Sequence, residues 1–203
     1  MLYPPTRYNS FGLEYLEYYA KHQTYHPGVD LNWGIGNQDL GQPVVACTWG
    51  IVVYVSPEGY NGGLGNFIVI HHPHNWAYVR CMHMDTIKVK AGETVYPNQI
   101  IGTVGKKGTN SAHLHFEVME GVDWINGGFR PYGRYTSGMR KSEVAKLFTD
   151  PIRWIKTQEH YVGSNVQTKI NETKSAIDSS IPPLKKMLVR LLNRLQSKIP
   201  TQR

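Results

Sequence analysis

The sequence predicts a mainly β fold: a compact antiparallel β-sheet or sandwich domain followed by a C-terminal α-helical tail. Three observations carry this expectation. Between residues 42 and 118, short runs rich in Val, Ile, Tyr and Thr alternate with glycine-bearing turns, and no helical period intervenes. The apolar runs, such as IVVYV at 51–55 and FIVI at 67–70, have the length of strands and fall far short of a membrane span. From residue 157 onward the chain turns polar, with apolar residues recurring at helical spacing.

The elements follow in order. The stretch NSFGLEYLEYYAKHQTY (9–25) is aromatic without a clear period. Strands are predicted in PVVACTWGIVVYV (43–55), NFIVIHH (66–72), WAYVRCMHM (76–84), ETVYPNQIIGTVG (93–105) and HLHFEVME (113–120). The turn signals between them are SPEGYNGGLGN, HPHN, KAGE and GKKGTNS. A Gly/Tyr/Arg-rich loop, INGGFRPYGRYTSGM (125–139), precedes a short helix over KSEVAKLF (141–148). Asp150-Pro151 closes the domain, with IRWI (152–155) packing behind it. In the tail, Val166, Ile170, Ile177 and Ile181 form one helical stripe, Pro182-Pro183 interrupts it, and Leu184, Leu188, Leu191, Leu195 and Ile199 form a second. The expected division is therefore a domain over 1–156, with core motifs at 26–118 and a closing loop at 119–150, and a basic amphipathic tail over 157–203.

Composition narrows the function. With 203 residues, 40% apolar and 11% aromatic, the chain has material for a sizeable core and is not disordered as a whole. Two cysteines exclude a disulfide scaffold; buried free thiols are expected for Cys47 and Cys81, with pairing left open. MLYPPTRYNS has no basic stretch followed by an apolar one, so no signal peptide is read there. The net charge of +7 invites an anionic partner. Most of it, +5, belongs to 157–203 and only +2 to 1–156. The tail has no interleaved aromatics, so nucleic acid is not the expected partner. Packing on its own domain or a partner subunit, docking into a larger assembly, and attachment to an anionic envelope surface all remain open for it.

The chemistry lies in the nine histidines. HPGVD (26–30) places His26 and Asp30 four residues apart across Pro and Gly, which argues for a tight loop. In HLHFEV (113–118), strand alternation puts His113, His115 and Glu117 on one face and Leu114, Phe116 and Val118 in a core. Together these are nitrogen and oxygen donors of the kind that hold zinc in an open catalytic site.

These motifs resemble the lysostaphin-type (LytM-like) zinc metalloendopeptidases, which cut peptide bonds in bacterial peptidoglycan. HPGVD, GQPVVA (41–46) with Gly50 and Val52, VKAGETVYPNQIIGTVG (89–105) and HLHFE (113–117) follow the family's order, and CMHM (81–84) matches its mid-chain Tyr-x-His-Leu. The resemblance covers roughly 10–155. Cys81 stands where the family has Tyr, Met84 where it has Leu, and Ala112 where it has Pro. Residues 120–149 are longer than the usual closing segment.

The resemblance implies one zinc ion per chain, held by His26, Asp30 and His115, with His83 and His113 as the general-base/general-acid pair. Glu117 is read either as orienting an imidazole or as a solvated strand carboxylate. The implied activity is hydrolysis of stem-peptide or cross-bridge bonds in peptidoglycan; the alternative is a catalytically silent scaffold or activator. With no signal peptide read and a hydrophobic stripe in the tail, the expected setting is a phage tail-associated or lytic enzyme, in a virion tail or outside the cell at the wall, with virion tail proteins or self-association through 157–203 as partner contacts. Trp124, Phe129, Tyr132 and Tyr135 either line a substrate groove or cover the sheet edge. His71, His72 and His74 are read as a polar hairpin turn, and GYNGGLGN as a hairpin loop.

Overall fold

Runs of β-branched and aromatic residues dictate the long strands, because such side chains pack well on a pleated, half-buried surface. A computed structural model describes residues 4–57, 63–72, 76–121 and 136–157. In chain order the strands are β1 (Ser10–Phe11), β2 (Tyr18–Tyr19), β3 (Thr24–Tyr25), β4 (Val29–Asn32), β5 (Pro43–Val45) and β6 (Gly50–Ser56). Then come β7 (Asn66–His72), β8 (Ala77–Met84), β9 (Thr86–Ile87), β10 (Thr94–Val95), β11 (Ile100–Thr103) and β12 (Leu114–Glu120).

All described pairings are antiparallel. The large sheet runs β1-β4-β12-β8-β7-β6-β10, a smaller one runs β5-β11-β9, and β2 and β3 form a separate ribbon. The mainly β expectation holds. The segment over 9–25, which shows no period, becomes three two-residue strands and a 3-10 turn at Ala20–His22. Strands that short carry no readable alternation.

Alternation along the large sheet gives it two covered faces. Val29, Leu31, Val52, Ile68, Ile70, Val79, Cys81, Leu114, Phe116 and Val118 meet Val44 and Ile101 of the small sheet in one core. On the opposite face, Phe67, Val69, Tyr78, Met82 and Met119 pack with Val144 and Phe148. Val144 lies in α1 (Lys141–Leu147), inside the segment predicted helical. A second helical stretch, 151–157, starts where the Asp150 carboxylate accepts the backbone N–H groups of Ile152 (2.9 Å) and Arg153 (3.1 Å). Pro151 takes the first helical position, where its missing N–H costs nothing. Trp154 and Ile155 are buried, as their place behind the domain predicts.

Cys47 and Cys81 are buried free thiols. Two units divide the chain, Leu2–Ile155 and Lys156–Arg203 with Met1; the strands and α1 belong to the first. The predicted tail helices, the four loop aromatics and His74 lie outside the described residues. No helix among the described residues is long and apolar enough to cross a membrane.

Candidate active site

β12 sets the site. Its even-numbered side chains Leu114, Phe116 and Val118 enter the core, so His115 and Glu117 must face the other way. His113 precedes the strand and bridges to Gly105. On the neighbouring strand β4, Asp30 stands directly opposite His115. His26 is fixed just before β4 by its backbone: its N–H donates to Glu17 O (2.8 Å) and its carbonyl accepts Leu16 N–H (2.8 Å). Gly28, between the two motif residues, packs against β12. A Cβ there would lie 2.3 Å from Phe116 O and 3.0 Å from His115 Nε2. The HPGVD spacing thus lets the loop lie flat on the strand that carries the second histidine.

His83 arrives by a different route. On β8, residues 79 and 81 point to the core, so simple alternation would send 83 there too. Instead, Ile68 pairs with Cys81 and Asn66 with Met84, leaving one extra residue on β8. At this bulge His83 takes a left-handed backbone (φ 61°), and its ring turns outward beside Met82.

The five predicted residues line one cleft of about 670 Å³. His26 Nε2 and His115 Nδ1 are 2.9 Å apart, and they lie 3.2 and 3.0 Å from Asp30 Oδ1. His113 Nε2 is 3.6 Å from the same oxygen. The His83 and His113 rings sit 4.7 Å apart, centre to centre. Backbone carbonyls can only accept, and this fixes the tautomers. His26 donates from Nδ1 to Glu14 O (3.2 Å), His83 from Nδ1 to Lys107 O (2.9 Å) and His113 from Nδ1 to Ser111 O (3.1 Å). Their Nε2 lone pairs are therefore available. His115 is reversed: Nε2 faces Glu117 Oε2 at 3.0 Å, and Nδ1 faces Asp30.

The charges agree with this arrangement. Burial alone would push the Asp30 carboxyl up, but hydrogen bonds from His115 and His26 hold it well below the usual carboxylate range. Burial would likewise lower His115, yet the carboxylates of Asp30 and Glu117 raise it to about 9. Burial, reinforced by the neighbouring imidazoles, lowers His83 to about 3. It also lowers His113, against the opposing pull of Asp30. At neutral pH the pair His83 and His113 is uncharged.

This donor set fits zinc. Tetrahedral zinc with bonds of about 2.0–2.2 Å spaces its ligand atoms roughly 3.3–3.6 Å apart. The triangle here is a few tenths of an ångström tighter, and His26, Asp30 and His115 form the one group of metal-ligating residues found among the described residues. A cation held there requires Nδ1 of His115 to be unprotonated.

Glu117 is fully buried, which rules out the solvated alternative. Sequence reasoning missed its partner, Arg80 on β8, whose guanidinium pairs with Glu117 while both are removed from solvent. The available signal was a charged residue inside the apolar run WAYVRCM. His71 and His72 end β7 away from the cleft, where His72 is buried against Trp49 and Trp154.

Comparison with known proteins adds the following. The model of Peptidase family M23 matches residues 24–127, about half of the chain. Lipoprotein NlpD of Yersinia enterocolitica is 44% identical over 80 residues, which is 38% of this chain and 77% of that protein. Murein hydrolase activator NlpD of Escherichia coli is 39% identical over 80 residues, but these make up only 20% of that longer protein. The catalytic domain of the antimicrobial peptidase lysostaphin from Staphylococcus simulans superposes with a TM-score of 0.50 at 26% identity, over 72% of this chain and 92% of that one.

Proposed function

The chain belongs to peptidase family M23, and from that membership we propose that it is a zinc-dependent endopeptidase hydrolysing peptide bonds in bacterial peptidoglycan. One observation carries the reading. His26 Nε2, Asp30 Oδ1 and His115 Nδ1 converge within 3.2 Å of one another on the wall of a cleft that also holds two neutral imidazoles. A purely structural cluster has no need for that second pair.

When bound, zinc supplies Lewis acidity that lowers the pKa of water and polarises a carbonyl. His26, Asp30 and His115 are the residues that hold it. His83 and His113 keep Nε2 unprotonated because their Nδ1–H groups are committed to Lys107 O and Ser111 O. Either can accept the proton of the attacking water and then, as an imidazolium, deliver it to the leaving amine.

Mass spectrometry of purified cell walls digested with the protein tests the reading. New amino termini at a single class of peptide bond are expected, and none with His115→Ala. Equal cleavage by that variant contradicts it. The name of the Escherichia coli relative favours a second reading, a non-cleaving activator of other wall hydrolases. That reading requires no fragment release by the protein alone. The setting we propose is the bacterial cell wall. The similarities to bacterial envelope proteins support it and give no support to a virion tail.

A further inference from the structure

We propose that Arg80 is a positioning residue for the metal centre, fixing Glu117 so that Glu117 in turn holds His115 with Nδ1 toward the cation. The inference rests on the zinc reading above and extends it by two side chains.

Arg80 lies on β8 directly opposite Glu117 on β12. Both are completely buried, in the middle of the large sheet. The Arg80 guanidinium donates from Nε to Glu117 Oε1 and presses a second nitrogen on the same oxygen. Its carbon lies 5.9 Å from the Phe67 ring centre, and Val69 is its partner on the other neighbouring strand. The second carboxylate oxygen, Oε2, is thereby turned toward His115 and sits 3.0 Å from Nε2. Arg80 therefore acts on one oxygen and His115 on the other.

Stability alone does not explain such a pair. A buried ion pair is often replaceable by apolar residues of similar volume with no loss of stability. What apolar residues cannot do is accept the His115 Nε2–H. That acceptor decides which ring nitrogen faces the cleft, since a half-turn of the imidazole would otherwise exchange its two edges. His26 has Glu14 O for this purpose. His115, on a strand whose carbonyls are committed to the ladder, needs a side chain, and that side chain needs a fixed rotamer.

The test is zinc affinity of the full chain, measured by competition with a chromophoric chelator. The proteins are wild type, Arg80→Met, Glu117→Gln, Arg80→Lys and the double variant Arg80→Met/Glu117→Gln. Removing an outer partner of a metal ligand costs about 10–100-fold in affinity, so Arg80→Met and Glu117→Gln should each lose that much. Arg80→Lys, which keeps the charge and loses the fork, should fall between them and wild type. Because Arg80 acts through Glu117, the double variant should bind zinc within about threefold of Glu117→Gln alone. The visible spectrum of the cobalt-loaded Arg80→Met protein should differ from wild type, although Arg80 touches no metal.

If Arg80→Met does not fold, the comparison of Glu117→Gln with the double variant still decides, because the pair is then removed together. Wild-type affinity in Arg80→Met or Glu117→Gln, or a further tenfold loss on adding Arg80→Met to Glu117→Gln, overturns the inference. A wild-type chain that binds no zinc overturns both it and the metal reading. Binding by wild type with unchanged variants leaves the metal reading standing and removes only this one.

Discussion

His83 combines an uncommon backbone, φ 61° at a bulge, with an imidazole whose Nδ1–H is anchored to a carbonyl. A non-glycine residue in that region costs on the order of 1–3 kcal/mol and persists where its surroundings impose it. Here the reward is placement beside His113. The residue-scale prediction is that His83→Ala and His113→Ala each lower kcat about 10²–10⁴-fold while zinc content, read by elemental analysis, stays at the wild-type level. Loss of zinc in either variant would move that residue into the ligand set.

The thiols behave in the opposite way. Burial pushes Cys47 up to about 12 and also raises Cys81, helped by the nearby Cys47 and Glu117. Neither should react with an alkylating reagent at pH 8 in the native protein, and both should react after denaturation. In the unfolded chain the Cys47 thiol ionises near 9.0, and in the folded one only near 12. The Cys47 contribution is full below pH 9 and is lost as pH rises toward 12, which melting curves across that range can follow. At this scale the sequence displayed His26, Asp30, His113 and His115 through spacing and alternation. It hid the anchors Glu14 O, Lys107 O and Ser111 O, because a backbone carbonyl has no sequence signal.

Among the elements, β12 was the most legible, since its alternation of His, Glu and apolar residues states which face is wet chemistry and which is core. The β8 bulge was not. Nothing in AYVRCMHM shows that one residue more than its partner strand must be absorbed before Met84. Register is a property of two strands, and the Arg80–Glu117 pair escaped notice for the same reason. Gly28 offers a direct test of the loop-on-strand packing. Gly28→Ala drives a methyl into Phe116 O and against His115, so it should weaken zinc binding and lower the melting temperature together. At the far end of the domain, Asp150→Ala removes the oxygen that accepts two backbone donors of the 151–157 helix. A loss of about 1 kcal/mol in denaturant unfolding is expected, with turnover unchanged because this helix lies outside the cleft.

Across the whole molecule, charge and chemistry are divided between two segments. The histidine cleft belongs to a stretch that carries +2, while residues 157–203 carry +5. If the tail serves attachment, removal of 158–203 leaves the 151–157 helix intact, spares cleavage of soluble wall fragments and abolishes retention on intact walls in a sedimentation assay. Unchanged retention would assign the tail another role. The fold was legible as a class because strand length and turn chemistry are local. The order of strands in the large sheet was not, since β1, β4 and β12 are joined across most of the chain.

We propose that the cleft is a metal-dependent peptide hydrolase in its own right. Release of new amino groups from purified peptidoglycan, followed with and without a chelator, tests it most directly. Steady release by the protein alone is expected, with its loss on chelation and its return on adding one equivalent of zinc per chain. Release that persists in the chelated protein, or no release from a zinc-loaded one, would contradict it.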